Sequence, residues 1–143
     1  MSKIILLVED NATDEKLTLR AFKKGNIENE IVVVRDGSEA LDYLLGPPGS
    51  ERDAPALVLL DLNLPRVSGL EVLRRLRADA RTRFLPVVIL TSSKEDEDLI
   101  SGYAMGANAY VRKPVEFGEF VDAARAVGLF WLLLNERAPA RSS

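Results

Sequence analysis

Residues 56–65, ALVLLDLNLP, decide the fold: an unbroken apolar run stops abruptly at Asp61, and a turn containing Pro65 follows. A strand with one wet face alternates apolar and polar residues, whereas a strand covered on both faces is apolar at every position. Ile4–Val8, Ile31–Val34 and Val87–Leu90 repeat that pattern, and Ala109–Val111 is a weaker fifth case. Between these runs the spacing turns helical, at Leu41, Leu44 and Leu45, at Leu70, Leu73 and Leu76, and at Leu99, Ile100, Tyr103 and Ala104. A fainter helix covers Leu17–Phe22, and Phe117, Phe120, Val121 and Ala124 begin a long last one. Ser38, and Ser93 with Asp96 three residues on, are candidate N-caps, and Gly106 suits a helix end.

Strand alternating with helix predicts an α/β, doubly wound, five-stranded parallel sheet with right-handed crossovers. In the strand order 2-1-3-4-5, ligands bind beyond the carboxyl ends of the strands at the switch point between the first and the third. Gly46–Pro55 (GPPGSERDAP) interrupts the rhythm as a surface loop of turn residues. One domain over residues 1–136, including an extended apolar last helix, and a flexible tail over 137–143 are expected.

The chain has 143 residues, 47% of them hydrophobic, enough for one real core. Its 19 basic and 22 acidic residues are interspersed and sum to −3, which argues against nucleic-acid binding. Cysteine and histidine are both absent, which excludes disulfides, thiolate or His-ligated metal, Ser-His-Asp triads and a phosphohistidine on this chain. MSKIILLVED is too short an apolar run for a signal sequence or a membrane span, so a cytoplasmic protein is expected.

The predicted strand ends carry Glu9 and Asp10, Asp61, Thr91 and Lys113. Taken singly, each has a plain reading: an exposed acidic exit, a turn residue before Pro65, a solvated lysine. Together they converge on one edge of the sheet. Carboxylates about 4 Å apart repel by roughly 4 kcal/mol per pair at an effective dielectric near 20, and a cation must offset this. With oxygen ligands alone, that cation is a hard divalent ion such as Mg2+, and the backbone carbonyl of Asn63 is in reach as a further ligand. Asp61 can attack a phosphoryl group in line to give an aspartyl phosphate. The metal, Lys113 and the Thr91 hydroxyl then meet the charge on the equatorial oxygens.

The stretches LLVEDN, VLLDLNLPRVSGLEVLRRLR, VVILTSS and GANAYVRKP, in that order over about residues 3–127, resemble a response-regulator receiver domain with a flavodoxin-like fold. The resemblance implies Asp61 as phosphoacceptor; Glu9, Asp10, Asp61 and the Asn63 carbonyl as metal ligands, for Mg2+ with Mn2+ as a possible substitute; and Thr91 and Tyr110 as switch residues, with Lys113 as the conserved lysine. It further implies a histidine kinase as phosphoryl donor and no turnover of outside substrates beyond Mg-dependent self-phosphorylation and self-dephosphorylation. DLNLP, the GPPG insertion and FWLLLNERAP are similar to the small stand-alone regulators paired with phytochrome kinases, which implies a bacteriophytochrome donor.

LFWLLL at Leu129–Leu134 is apolar all round, more than one domain face can bury. Phe130 and Trp131 each carry about 150–250 Å² of surface, worth several kcal/mol together at about 25 cal/mol per Å². The run suits either a subunit or partner interface or a tail folded back on its own domain; a homodimer through the last helix, with Phe130, Trp131, Leu133 and Leu134, is the specific expectation. Rival functions also follow from the residues. A haloacid-dehalogenase-like phosphatase needs a second carboxylate two residues after the nucleophile, where Asn63 stands. A flavodoxin-like FMN carrier would lead from its first strand into a phosphate-binding turn, not into EDNATD. A phosphorylation-independent binding module is the third alternative.

Overall fold

The computed structural model describes residues 4–46, 54–91, 101, 103–112 and 116–127. Its elements run β1 (Ile5–Val8), α1 (Ala12–Lys24), β2 (Ile31–Val34), α2 (Gly37–Leu45), β3 (Leu57–Leu60), α3 (Gly69–Ala78), β4 (Val87–Thr91), β5 (Ala109–Arg112) and α4 (Phe117–Val127). The strands form one parallel sheet in the order β2-β1-β3-β4-β5. That is the expected order, and each strand lies within a residue or so of its expected bounds.

Burial explains the unbroken apolar runs. All residues of β1, β3 and β4 are buried, and strand alternation sends them to two cores. Leu6, Val8, Val58, Leu60, Val87 and Ile89 pack with Ala40, Leu41, Val72, Leu73 and Leu76 of α2 and α3. Ile5, Leu7, Leu57, Leu59, Val88 and Leu90 pack with Ala21 and Phe22 of α1 and with Phe120, Val121 and Ala124 of α4. The central strands therefore form a wall with a separate core on each side.

Helix starts follow side-chain capping. Asn11 accepts from the Asp14 amide at 2.9 Å, Asp36 from Glu39 at 2.7 Å and Ser68 from Glu71 at 3.3 Å. Asp36, not Ser38, is the cap of α2: the chain turns helical at Gly37, leaving Ser38 inside the first turn. Gly106 has φ +97° and follows a helical segment containing Tyr103 and Ala104, as expected of a helix end. Most of the GPPG loop, Ser93, Leu99 and Ile100 lie outside the described residues, as do residues 128–143 and hence the expected boundary at 136.

The starts of β4 and β5 are fastened by Arg77 near the end of α3. Its guanidinium donates to the carbonyl oxygens of Thr82 (3.2 Å), Arg83 (3.1 Å), Leu85 (2.7 Å) and Gly106 (2.8 and 3.0 Å) and to Asn108 Oδ1 (3.2 Å). Asn108 Oδ1 also accepts from the Val87 amide at 2.8 Å. Loss of water pulls the Arg77 pKa below its ordinary value, and the ring of carbonyl dipoles takes the place of that water.

Candidate functional site at the carboxyl edge of the sheet

β1 and β3 are neighbours in register, Val8 opposite Leu60, so the residues that follow them emerge side by side. Carboxylate oxygens of Glu9, Asp10 and Asp61 lie within 4.8 Å of one another. Glu9 and Asp61 are only 1% and 5% exposed, while Asp10 faces solvent, so the cluster is reachable but mostly shielded from water. Shielding strengthens the repulsion among these groups. An all-oxygen donor set of this kind fits a hard divalent cation.

Thr91, the fully buried last residue of β4, donates from Oγ1 to Asp61 Oδ1 at 3.0 Å. The same oxygen accepts from the Asn63 amide at 3.0 Å, and Asn63 Nδ2 stands 3.5 Å from Thr91 Oγ1. Asp61, Asn63 and Thr91 thus form one knot, with the Asp61 amide bonded to Val8 O at 3.1 Å. The register Ile89 with Tyr110 and Thr91 with Arg112 carries the knot sideways to β5. Tyr110 packs at the rim of the α2/α3-side core, the side that alternation from Val87 and Ile89 also gives to Thr91. Its ring lies 6.4 Å from that of Tyr103, tilted by 39°, and Tyr103 is half exposed.

The structure brings together Glu9, Asp10, Asp61, Asn63 and Thr91, and sets Tyr110 two positions along the sheet from Thr91. Lys113, one residue past β5, lies outside the described residues, as do the Lys113–Pro114 bond and Phe130, Trp131, Leu133 and Leu134. Residues 61–69 reveal a feature that the sequence reading missed. A Cβ on Gly69 would lie 2.2 Å from Asp61 O, and one on Gly37 would lie 2.0 Å from Val67 O. Only glycine fits where α3 and α2 begin. The signal was present as Asp36-Gly37 and Ser68-Gly69, each a cap residue followed by glycine.

A parallel 2-1-3-4-5 sheet with clustered acids at the β1 and β3 exits and a threonine at the β4 exit narrows the family sharply. The family description "Response regulator receiver domain" matches residues 5–125. The chain belongs to the response regulator receiver family. Among curated proteins, this receiver domain is 43% identical to the probable methanogenesis regulatory protein FilR2 of Methanothrix harundinacea, over 95% of this chain and 87% of that one. It is 35% identical to the response regulator Rcp1 of Synechocystis, over 91% and 89%; the crystal structure of the Mn(2+)-bound form of Rcp1 superposes with a TM-score of 0.83, covering 96% and 99% of the two chains. The bacteriophytochrome response regulator RtBRR is 51% identical, with a TM-score of 0.78 over 97% of this chain and 86% of that one. Receiver domains are regulators that turn over no outside substrate, and the phosphatase alternative is not favoured. No helix among the described residues of this receiver domain is long and apolar enough to cross a membrane.

Proposed function

We propose that Asp61 is the phosphoacceptor of this receiver and that its phosphorylation, by a histidine kinase, is the signal the chain carries. The observation that supports this best is the placement of Asp61: a nearly buried carboxylate within 4.8 Å of two others and hydrogen-bonded by the Thr91 hydroxyl. An Asp61 oxygen attacks phosphorus from the side opposite the donor, the bond from phosphorus to the donor breaks, and an aspartyl phosphate remains. A divalent ion, Mg2+ by preference and Mn2+ as a substitute, would be held by Glu9, Asp10, Asp61 and the Asn63 carbonyl. Once bound, it supplies positive charge against the transferring phosphoryl oxygens.

The chain's own groups do the rest. Glu9 and Asp10 keep the pocket acidic; the Asn63 amide fixes which Asp61 oxygen is occupied; Lys113 would meet the phosphoryl charge. Thr91 holds Asp61 now and turns its hydroxyl to the phosphoryl oxygen afterwards, and Tyr110, on the same side of the sheet, follows the space so vacated. Similarity to RtBRR and Rcp1 favours a bacteriophytochrome-type kinase as donor, in the cytoplasm, with no nucleic acid bound. Output passes through the Tyr110 face and a homodimer built on the last helix with Phe130, Trp131, Leu133 and Leu134; a chain truncated near Val127 that still sediments as a dimer overturns the dimer assignment.

Incubation with acetyl phosphate and Mg2+, followed by intact mass, tests the centre of the proposal. The native chain gains one phosphoryl group and Asp61→Asn gains none; a native chain that stays unmodified, or an Asp61→Asn chain that is still modified, overturns it.

A further inference from the structure

We infer that Gly37, at the start of α2, is a positioning residue for the loop that follows Asp61, and that α2 thereby sets the metal affinity of the site. The inference rests on the phosphoacceptor reading above for its functional meaning, but not for its geometry. Residues 61–69 lie between two helix starts that come closer than any side chain allows. On one side an added Cβ at Gly69 would meet Asp61 O at 2.2 Å and Leu62 Cα at 2.6 Å. On the other, an added Cβ at Gly37 would meet Val67 O at 2.0 Å, Val67 C at 2.7 Å and Val67 Cβ at 2.8 Å. All but Val67 Cβ are backbone atoms, so relief requires moving the chain.

Polar contacts close the same grip. Pro65 O accepts from the Gly37 amide at 3.5 Å and from the Val67 amide at 2.8 Å, and Leu62 O accepts from the Gly69 amide at 3.0 Å. Arg66, held at φ +69°, places its guanidinium 3.5 Å from Asp36, the carboxylate that caps α2 through the Glu39 amide. Asn63 is a member of the gripped loop. Its amide binds Asp61 Oδ1, and its carbonyl is the backbone ligand of the proposed metal site. The aim of that carbonyl therefore depends on how tightly α2 presses on Val67. Groups that orient metal ligands from behind alter affinity by about 10–100-fold when lost.

Gly37→Ala tests this in the full chain. The metal-free variant is expected to keep native far-UV circular dichroism while its Asn63 amide exchanges with deuterium faster than in the native chain, the amides of β1 and β3 staying unchanged. Mn2+ affinity by titration calorimetry is expected to fall about tenfold. Phosphorylation by acetyl phosphate should need correspondingly more Mg2+ yet reach the native plateau, a split that general loosening of the fold does not give. Native exchange at Asn63 together with native Mn2+ affinity overturns the inference. If Gly37→Ala does not fold, Asp36→Asn decides: it keeps the cap but loses the Arg66 pair, and about a twofold change in both readouts is expected. No change in either then overturns the inference. A native chain that takes up no phosphoryl group while Gly37→Ala still alters exchange and Mn2+ binding sinks the phosphoacceptor reading and leaves the grip standing.

Discussion

The two edges of the sheet handle charge in opposite ways. At the amino edge a single cation, Arg77, sits among carbonyl oxygens of Thr82, Arg83, Leu85 and Gly106 and the amide oxygen of Asn108. At the carboxyl edge, Glu9, Asp10 and Asp61 hold carboxylate oxygens within 4.8 Å, where like charges repel. In the first arrangement every acceptor is a dipole turned the right way, which offsets the cost to the fold of the water that Arg77 loses. The second raises the energy of the fold, and the surrounding strands and the glycine-gripped loop keep it from relaxing. The cost of charge is offset at one edge and left standing at the other, and under the proposed function it is what a cation and a phosphoryl group would relieve.

The contrast can be broken at its amino edge first. Arg77→Met removes the charged donor from several partly exposed carbonyls and is expected to cost about 1–3 kcal/mol in urea unfolding. Arg77→Lys should recover little of this, since an ammonium cannot reach both Gly106 and the 82–85 turn in one plane. Phosphate uptake at saturating Mg2+ should persist in both, and its loss would show that the edges are not separable. Asp10→Asn sharpens the other side: removal of one charge from the acidic cluster is expected to stabilise the metal-free chain by about 1 kcal/mol while abolishing any rise in Tm with Mg2+. A lower metal-free Tm would mean that repulsion is not the dominant feature there.

The smallest effect belongs to the exposed cluster of Glu71, Arg74 and Arg75 on α3. Hydrogen bonds from Arg74 and then Arg75 hold the Glu71 carboxyl at about pH 2, below its ordinary 4.5. A depressed carboxyl pKa contributes stability that is present above the unfolded value and lost as pH falls through the folded one. The Glu71→Gln chain should therefore match native stability near pH 2 and fall slightly behind it above pH 5, read from paired urea titrations. A difference that grew toward low pH would contradict the assignment.

Much of this was legible because burial on both faces leaves a plain mark. Leu57–Leu60 had to be a covered strand, and Asp61 after it had to sit at the covered strand's exit. Glu9, Asp10 and Thr91 were found by the same reasoning, each as the polar residue where an apolar run stops. The cap of α2 was misplaced because Asp36 and Ser38 are equally good cap residues, and only the folded chain shows Asp36 accepting from the Glu39 amide. Arg77 was illegible for a like reason. In RRLR it reads as one more charged helix position, and its acceptors arrive from residues 82–108 only when the chain is folded.

The wall formed by β1, β3 and β4 has a consequence for anyone redesigning the molecule. Side chains at Ile5, Leu7, Leu57 and Leu59 share no cavity with those at Leu6, Val8, Val58 and Leu60, although they alternate along the same strands. Substitutions on opposite sides that also lie more than about 7–10 Å apart, unlike neighbours along one strand, have energies that should add, so the two halves can be varied largely separately. The chain is, in that sense, two small libraries bound along one spine.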